Sequence, residues 1–350
     1  MFHSLSIENF RGISKLALDQ LGRVNVLVGD NGIGKSTILD ALFAIIDPND
    51  PELFLRTNLF RRVQQINEDF WKSFFKNFES QKGFTLKAAS ETERTIKVTP
   101  KIFKEGSLKN VQLGAGQKLP KIGSIIGLEV EFSEQAKTYR SSIAFLEIGG
   151  RPQVDIKGDV SFQNKLAVHY LNDETFFQQQ NIIETFDKVA KARQKGRLIE
   201  LLQKFVPTIK NLELGKNAVM VDDSAFEATL VNANIYGNGF LRALQIACQA
   251  ITGETQILLI DEVENGLYVK KQKAVWETIL DLVKDSKKQF FLTTHSYEMV
   301  QSLQQVAQAK KQADLVKLIR LQKDCRDKLI AVPYSPAELK SALESADEIR

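Results

Sequence analysis

The sequence predicts an α/β protein with a mainly parallel core sheet, an antiparallel β subdomain and a helical insertion. Three observations predict it. Strand-like and helix-like stretches alternate at both ends of the chain. Runs rich in Thr, Val, Ile and Phe fill the middle, and residues 173–206 have helical periodicity. Strand–helix–strand alternation implies parallel strands with helices on both faces. Closely spaced β-rich runs imply antiparallel strands.

The elements follow in order. Val24 to Val28 (VNVLV) reads as a buried strand. Lys35 to Ile46 reads as a helix, because Ile38, Leu39, Leu42, Ile45 and Ile46 recur at helical spacing. Asp47-Pro48 and Asp50-Pro51 end it. Residues 84–99, 125–132 and 141–148 supply the antiparallel strands. Within 173–206, Ile182, Ile183, Phe186, Val189 and Ala190 share one face, and Leu198, Leu201, Leu202 and Phe205 another. Phe240 to Ile251 is a helix, Gln256 to Ile260 a buried strand, Val269 to Val283 a helix and Gln289 to Leu292 a third strand. Ser335-Pro336-Ala337-Glu338 opens a closing helix with a capping box and Pro at its first position.

At about 150 residues per domain, 350 residues make two domains or one with an insertion. An apolar share of 43% with 26% charged residues excludes collagen-like, low-complexity and wholly disordered chains. No run of about 18 apolar residues is present, so no membrane partner is expected. The opening MFHSLSIENFRG lacks the basic and apolar regions of a signal peptide. Cys248 and Cys325 are too few for a disulfide framework. The expected setting is the cytoplasm. A net charge of +4 does not by itself point to nucleic acid.

Residues 29–36 read Gly-Asp-Asn-Gly-Ile-Gly-Lys-Ser, which fits G-x-x-x-x-G-K-[ST] between a strand and a helix. Glycines at such positions let several N–H groups converge at a positive helix end, where a phosphate binds. Asn31, Gly32, Gly34 and Lys35 are therefore expected to cradle ATP phosphates. The Ser36 hydroxyl is expected to hold Mg²⁺, and Thr37 to reach the α-phosphate. This makes the core a P-loop NTPase.

Residues 257–262 read Ile-Leu-Leu-Ile-Asp-Glu. Two carboxylates leave a buried strand at its carboxyl end, where open α/β sheets bind ligands. Asp261 is the second candidate for Mg²⁺. Glu262 is the candidate to polarise an attacking water. Both are expected across from the phosphate loop on a neighbouring strand. His295 follows the strand QFFLTT, is expected beside Glu262, and is the second catalytic candidate. His3 and His169 read as structural.

These motifs in this order resemble the ATP-binding-cassette ATPases of the RecF/SMC/OLD type. The resemblance is carried by Ser6-Ile7-Glu8-Asn9-Phe10-Arg11-Gly12, Gly29–Thr37, Ile257–Glu262, Glu264-Asn265-Gly266-Leu267 and Thr294-His295-Ser296. It covers about 1–47 and 205–300 well. The run ending Phe205-Val206-Pro207 looks like stand-alone OLD-type ATPases.

The resemblance implies a single ATPase domain over 1–350. Its parts are a P-loop half (1–50), an antiparallel and basic insertion (51–172), a helical insertion (173–215) and a signature half (216–350). It further implies a homodimer of heads with two ATP molecules between them, each site completed by the partner's signature segment. Here that segment is Tyr236-Gly237-Asn238-Gly239-Phe240, with Gly237, Asn238 and Gly239 as the trans-site candidates. It departs from the usual L-S-G-G-Q: Gly237 stands for Ser, and Phe240 for a polar residue. Glu264–Leu267 corresponds to the contact between heads. Arg11 matches the family's basic residue near the nucleotide, and Gln64 or Gln65 is the candidate Q-loop glutamine. No Toprim nuclease domain follows, so any nucleic-acid chemistry is expected from a separate effector protein.

From Arg56 to Lys121 the chain carries 14 Lys/Arg against 6 Asp/Glu, an excess of 8. Phe60, Phe70, Trp71, Phe74, Phe75, Phe78 and Phe84 intervene. Such a mixture suits a nucleic-acid backbone. A helix with a Phe core face and a solvated Lys face accounts for the same residues. The expected function is an ATP-hydrolysing switch, in DNA-related or anti-phage defence processes. The alternative is a nucleotide-gated scaffold with little hydrolysis that docks a nuclease or toxin.

Overall fold

The computed structural model describes residues 1–48, 50–63, 65–104, 121–148, 151–159, 161–164, 166–176, 178–227, 230–284 and 286–344. The N-terminal part runs β1 (Ser4–Phe10), β2 (Ile13–Leu18), β3 (Val24–Val28), α1 (Lys35–Ile46), α2 (Glu52–Phe60) and α3 (Glu68–Lys72). The middle supplies β4 (Phe84–Ala89), β5 (Glu93–Ile102), β6 (Ile125–Glu134), β7 (Lys137–Ile148), β8 (Arg151–Lys157) and β9 (Val168–Leu171). Helices α4 (Asp173–Phe176), α5 (Gln179–Lys191) and α6 (Lys195–Leu202) follow, then β10 (Ile209–Leu214), β11 (Val219–Asp223) and β12 (Val231–Asn232). The rest is α7 (Asn238–Ile251), β13 (Ile257–Ile260), α8 (Gln272–Lys284), β14 (Gln289–Thr293), α9 (Tyr297–Ala309), β15 (Val316–Lys323), β16 (Leu329–Tyr334) and α10 (Pro336–Glu344).

The central sheet has the order β16-β15-β3-β14-β13-β9. All its pairs are parallel except β15–β16. Its strands alternate between two cores, as the period of two in a pleated strand requires. Val24, Val26 and Val28 of β3 face a core built with α5 to α9. Leu27 faces a core shared with α1 and a second sheet. That antiparallel sheet has the order β2-β1-β4-β5-β6-β7-β8. Helix α1 lies between the two sheets, so eleven of its twelve residues are buried. Its Ile38–Ile46 run is apolar on every face but for Asp40, as a position between two layers demands.

Several expectations change. The antiparallel sheet takes β1 and β2 from 1–50, while β9 leaves 51–172 for the parallel sheet, so the divisions drawn on sequence do not follow the sheets. Strand pairing is a long-range choice that sequence order does not set. The segment 269–283 starts with a 3-10 turn, Val269–Lys271, before α8. Strands β15 and β16, unassigned from sequence, extend the parallel sheet beyond β3. The described part of the mixed aromatic and basic stretch spans the end of α2, α3, β4 and β5, and most of its aromatics point inward. Phe70, Trp71, Phe74, Phe75 and Phe84 are all buried, and of the larger set only Phe78 is strongly exposed. These rings fill the core beneath α3 and β4 and are not available to stack on bases. Lys82, Lys87 and Lys97 remain on the surface.

The closing helix has its capping box: Glu338 N–H donates to Ser335 Oγ at 3.2 Å and Ser335 N–H to Glu338 Oε2 at 2.8 Å.

Candidate nucleotide site

Strand β3 is followed by Gly29 at φ +138°, where a Cβ would meet the Leu321 carbonyl oxygen at 2.5 Å. Only glycine lets the chain turn there against β15. Gly34, at φ +118°, precedes the first residue of α1. The loop therefore wraps the N-terminus of α1, whose unpaired N–H groups and dipole favour an anion. Lys35 is buried, and its Nζ donates to the carbonyls of Gly29 (2.7 Å) and Asp30 (3.0 Å). Burial lowers its pKa, against the pull of Glu264, Asp261, Glu262 and Asp30. A groove of about 990 Å³ opens in front of the loop. Asn31, Gly32, Gly34 and Thr37 line it, between the β1–β2 turn and the β15–β16 turn.

Ser36 Oγ donates to Asp261 Oδ1 at 3.0 Å. The two carboxylates thus do lie beside the loop. However, β14 separates β13 from β3, so they approach from the next strand but one, and not from a neighbour. Thr293, the last residue of β14, fills the gap. Its hydroxyl donates to Asp261 Oδ1 at 2.5 Å and accepts from the Glu262 N–H at 2.8 Å. Burial raises the Asp261 pKa, partly offset by Thr293 and Ser36.

Glu262 has φ +47°, a left-handed backbone. Its carboxylate accepts a hydrogen bond from Asn265 Nδ2, and its carbonyl one from Arg242 Nη1. His295 is not held by Glu262. Its N–H and its Nδ1 both meet Glu264 Oε1, at 2.8 and 2.9 Å. Glu264 lies two residues further along the same loop, which returns towards the end of β14.

Arg11 also departs from expectation. It turns inward from the β1–β2 turn, 3.1 Å from Asp40, and its Nη1 donates to Asn58 Oδ1 at 2.9 Å. Burial lowers its pKa to about 10, against the pull of Asp40. Asp40 is itself buried on α1 and also accepts from Arg61. With Asp261 and Glu262, Arg61 lines a second cavity of about 300 Å³. A buried acid gathers the cations that neutralise it, which draws Arg11 away from the groove. Gln65 is exposed on the surface, and Gln64 lies outside the described residues.

The signature segment stands at the start of α7. Gly237 has φ +79° with open space around it, and a Cβ on Gly239 would meet the Gly266 carbonyl oxygen at 2.8 Å. Gly239 and Asn238 thus pack on the turn of Glu264–Leu267 from the same chain.

A family described as "AAA domain, putative AbiEii toxin, Type IV TA system" matches residues 24–300. The chain belongs to this AAA family. It is similar to an "ATP/GTP phosphatase" of Helicobacter pylori, at 20% identity over 93% of each chain. It is also similar to the DNA replication and repair protein RecF of Staphylococcus carnosus, at 22% identity over 85% of this chain and 93% of the relative. Among solved structures, an SMC head bound to the C-terminal winged-helix domain of ScpA covers 98% of this chain and 99% of its own. Its TM-score is 0.52 at 14% identity, which shows the shared P-loop fold. This AAA-family chain is an ATPase of the ABC and RecF type. No helix among its described residues is long and apolar enough to cross a membrane.

Sequence reasoning missed Thr293, Asp40, Arg61 and Arg242. One carried a signal: Asp40 is an acid in the middle of the apolar run Ile38–Ile46. Arg242 lies opposite the apolar stripe of α7, where an exposed cation is the ordinary expectation.

Proposed function

We propose that this ATPase is a cytoplasmic switch in which Mg-ATP closes two copies head to head and hydrolysis reopens them. The 3.0 Å contact between Ser36 Oγ and Asp261 Oδ1, beside Lys35, carries the reading. A hydroxyl and a carboxylate form an all-oxygen donor pair that suits Mg²⁺, which takes its remaining ligands from phosphate and water. The ion would neutralise charge on the β- and γ-phosphate oxygens. Lys35 and the loop N–H groups, with Asn31, Gly32 and Gly34, hold the phosphates, and Thr37 faces the groove. Glu262 accepts the proton of the attacking water, and His295, oriented by Glu264, steadies the γ-phosphate end.

Dimer closure is supported by exposed apolar residues flanking the signature and the Glu264–Leu267 turn: Ile235 at 64%, Tyr268 at 66% and Val269 at 55%. Large exposed apolar groups beside a functional segment suit a partner surface. Gly237, Asn238 and Gly239, at the N-terminus of α7, meet the partner's γ-phosphate. The toxin–antitoxin family and the RecF relative support a role in defence or DNA processes, in which a separate effector would supply any further chemistry. The exposed lysines of the antiparallel sheet are the candidate contact for nucleic acid. DNA affinity that ignores salt concentration would count against that contact.

The test is the size of the Glu262→Gln protein with and without Mg-ATP, together with phosphate release. A larger species with ATP is expected, with turnover at least about 100-fold below wild type. Lys35→Ala should show neither the shift nor turnover. An unchanged size in Glu262→Gln would sink the switch.

A second reading is the nucleotide-gated scaffold. Its support is that the signature segment lacks its usual Ser. Wild-type protein that binds ATP tightly without releasing phosphate would favour it.

A further inference from the structure

Arg242 is fully buried, one turn into α7 from the signature glycines. Its guanidinium ties α7 to two other segments. Nη1 donates to the main-chain carbonyl of Glu262, and Nη2 donates to Asp173 Oδ1 of α4 at 2.9 Å. Asn265 Nδ2 lies 3.3 and 3.2 Å from the two Asp173 oxygens and also donates to the Glu262 carboxylate. A ring results: Arg242, the Glu262 backbone, the Glu262 carboxylate, Asn265, Asp173 and back to Arg242. The residue inside the ring is the one at φ +47°. Left-handed backbone is uncommon for a non-glycine residue, and the hydrogen bonds of the ring hold this one there.

We propose that Arg242 is a positioning residue for ATP hydrolysis: with Asp173 and Asn265 it holds Glu262 in its left-handed conformation and so aims the carboxylate. The inference rests on the reading of Glu262 as the base. Arg242 ties that aim to the helix that begins with Gly237–Gly239. A buried guanidinium donating to a carbonyl supplies direction without neutralising the carboxylate. With the ring opened, Glu262 relaxes towards ordinary backbone angles and its carboxylate swings away from the water it must meet. A misplacement of this kind slows the chemical step without weakening the grip of the phosphate loop.

Asp173→Asn is the first variant, because the Asp173 side chain is 51% exposed and the substitution keeps its shape. Arg242→Ala and Arg242→Lys accompany it. Phosphate release and Mg-ATP affinity are measured on the full chain. Asp173→Asn and Arg242→Ala should lower kcat by about 10- to 100-fold while ATP affinity stays within about twofold. Arg242→Lys should recover part of the loss. Turnover unchanged in Asp173→Asn, or kcat and affinity falling together, would overturn the proposal. Glu262→Gln separates the two levels. If it turns over like wild type, the base assignment and the clamp fall together. If it is silent while Asp173→Asn is fully active, the clamp alone falls.

Discussion

His169 stands on β9, the edge strand of the parallel sheet, paired with Leu258. Burial lowers its pKa to about 4, and Lys188 adds to the effect. The unfolded chain takes up this proton near pH 6.5, and the folded chain not until about pH 4. Protons then bind the unfolded state preferentially between those values, so stability falls as pH drops from 6.5 towards 4 and is unaffected above 6.5. The side chain is half-buried, which leaves a loss on the order of 1 kcal/mol at pH 5. Thermal melts should show a shallower decline between pH 7 and 5 in His169→Gln than in wild type. Equal slopes would remove His169 as the cause. His295 illustrates the same scale differently. Its place after a buried strand near the acidic strand end was readable in the sequence. Its partner, Glu264 and not Glu262, depended on how the loop 261–267 curls, which residue order does not state.

Strands and helices were the most legible level, because hydrophobic periodicity survives without tertiary detail. Val24–Val28, Lys35–Ile46 and the start of α10 fall where the pattern puts them. Pairing partners were less legible, and glycines show why. In β6, a Cβ on Gly127 would sit 1.8 Å from the Ile143 carbonyl oxygen of β7. In α6, Gly196 has nothing within 4 Å of the same construction. The sequence shows two glycines; the neighbours give them opposite meanings. Gly127→Ala should therefore split the β6–β7 pairing and cost about 3 kcal/mol. Gly196→Ala should add about 0.5 kcal/mol through helix propensity. Denaturant titrations that ranked the two variants the other way would refute the β6–β7 register.

Two copies, in the proposed closed form, share each site: the phosphate loop of one and the signature of the other. Lys35→Ala disables the first part, and Gly237→Asp the second by placing a carboxylate where a phosphate is read. Each variant alone should be inactive. Mixed one to one, they should recover about a quarter of wild-type phosphate release, since half the dimers are mixed and each holds one intact site. No recovery on mixing would mean that each chain works alone. The sequence by itself determined the phosphate loop, the acidic strand end and the α/β class with a parallel core sheet, because these rest on residue types at fixed local spacing. Tertiary structure alone decided that β14 and Thr293 stand between the two motifs, that Arg11 serves Asp40, that the aromatic run is core, and that Arg242 closes on Glu262. Each of those depends on which distant segments pack together, and packing is settled by burial and charge pairing summed over the whole chain.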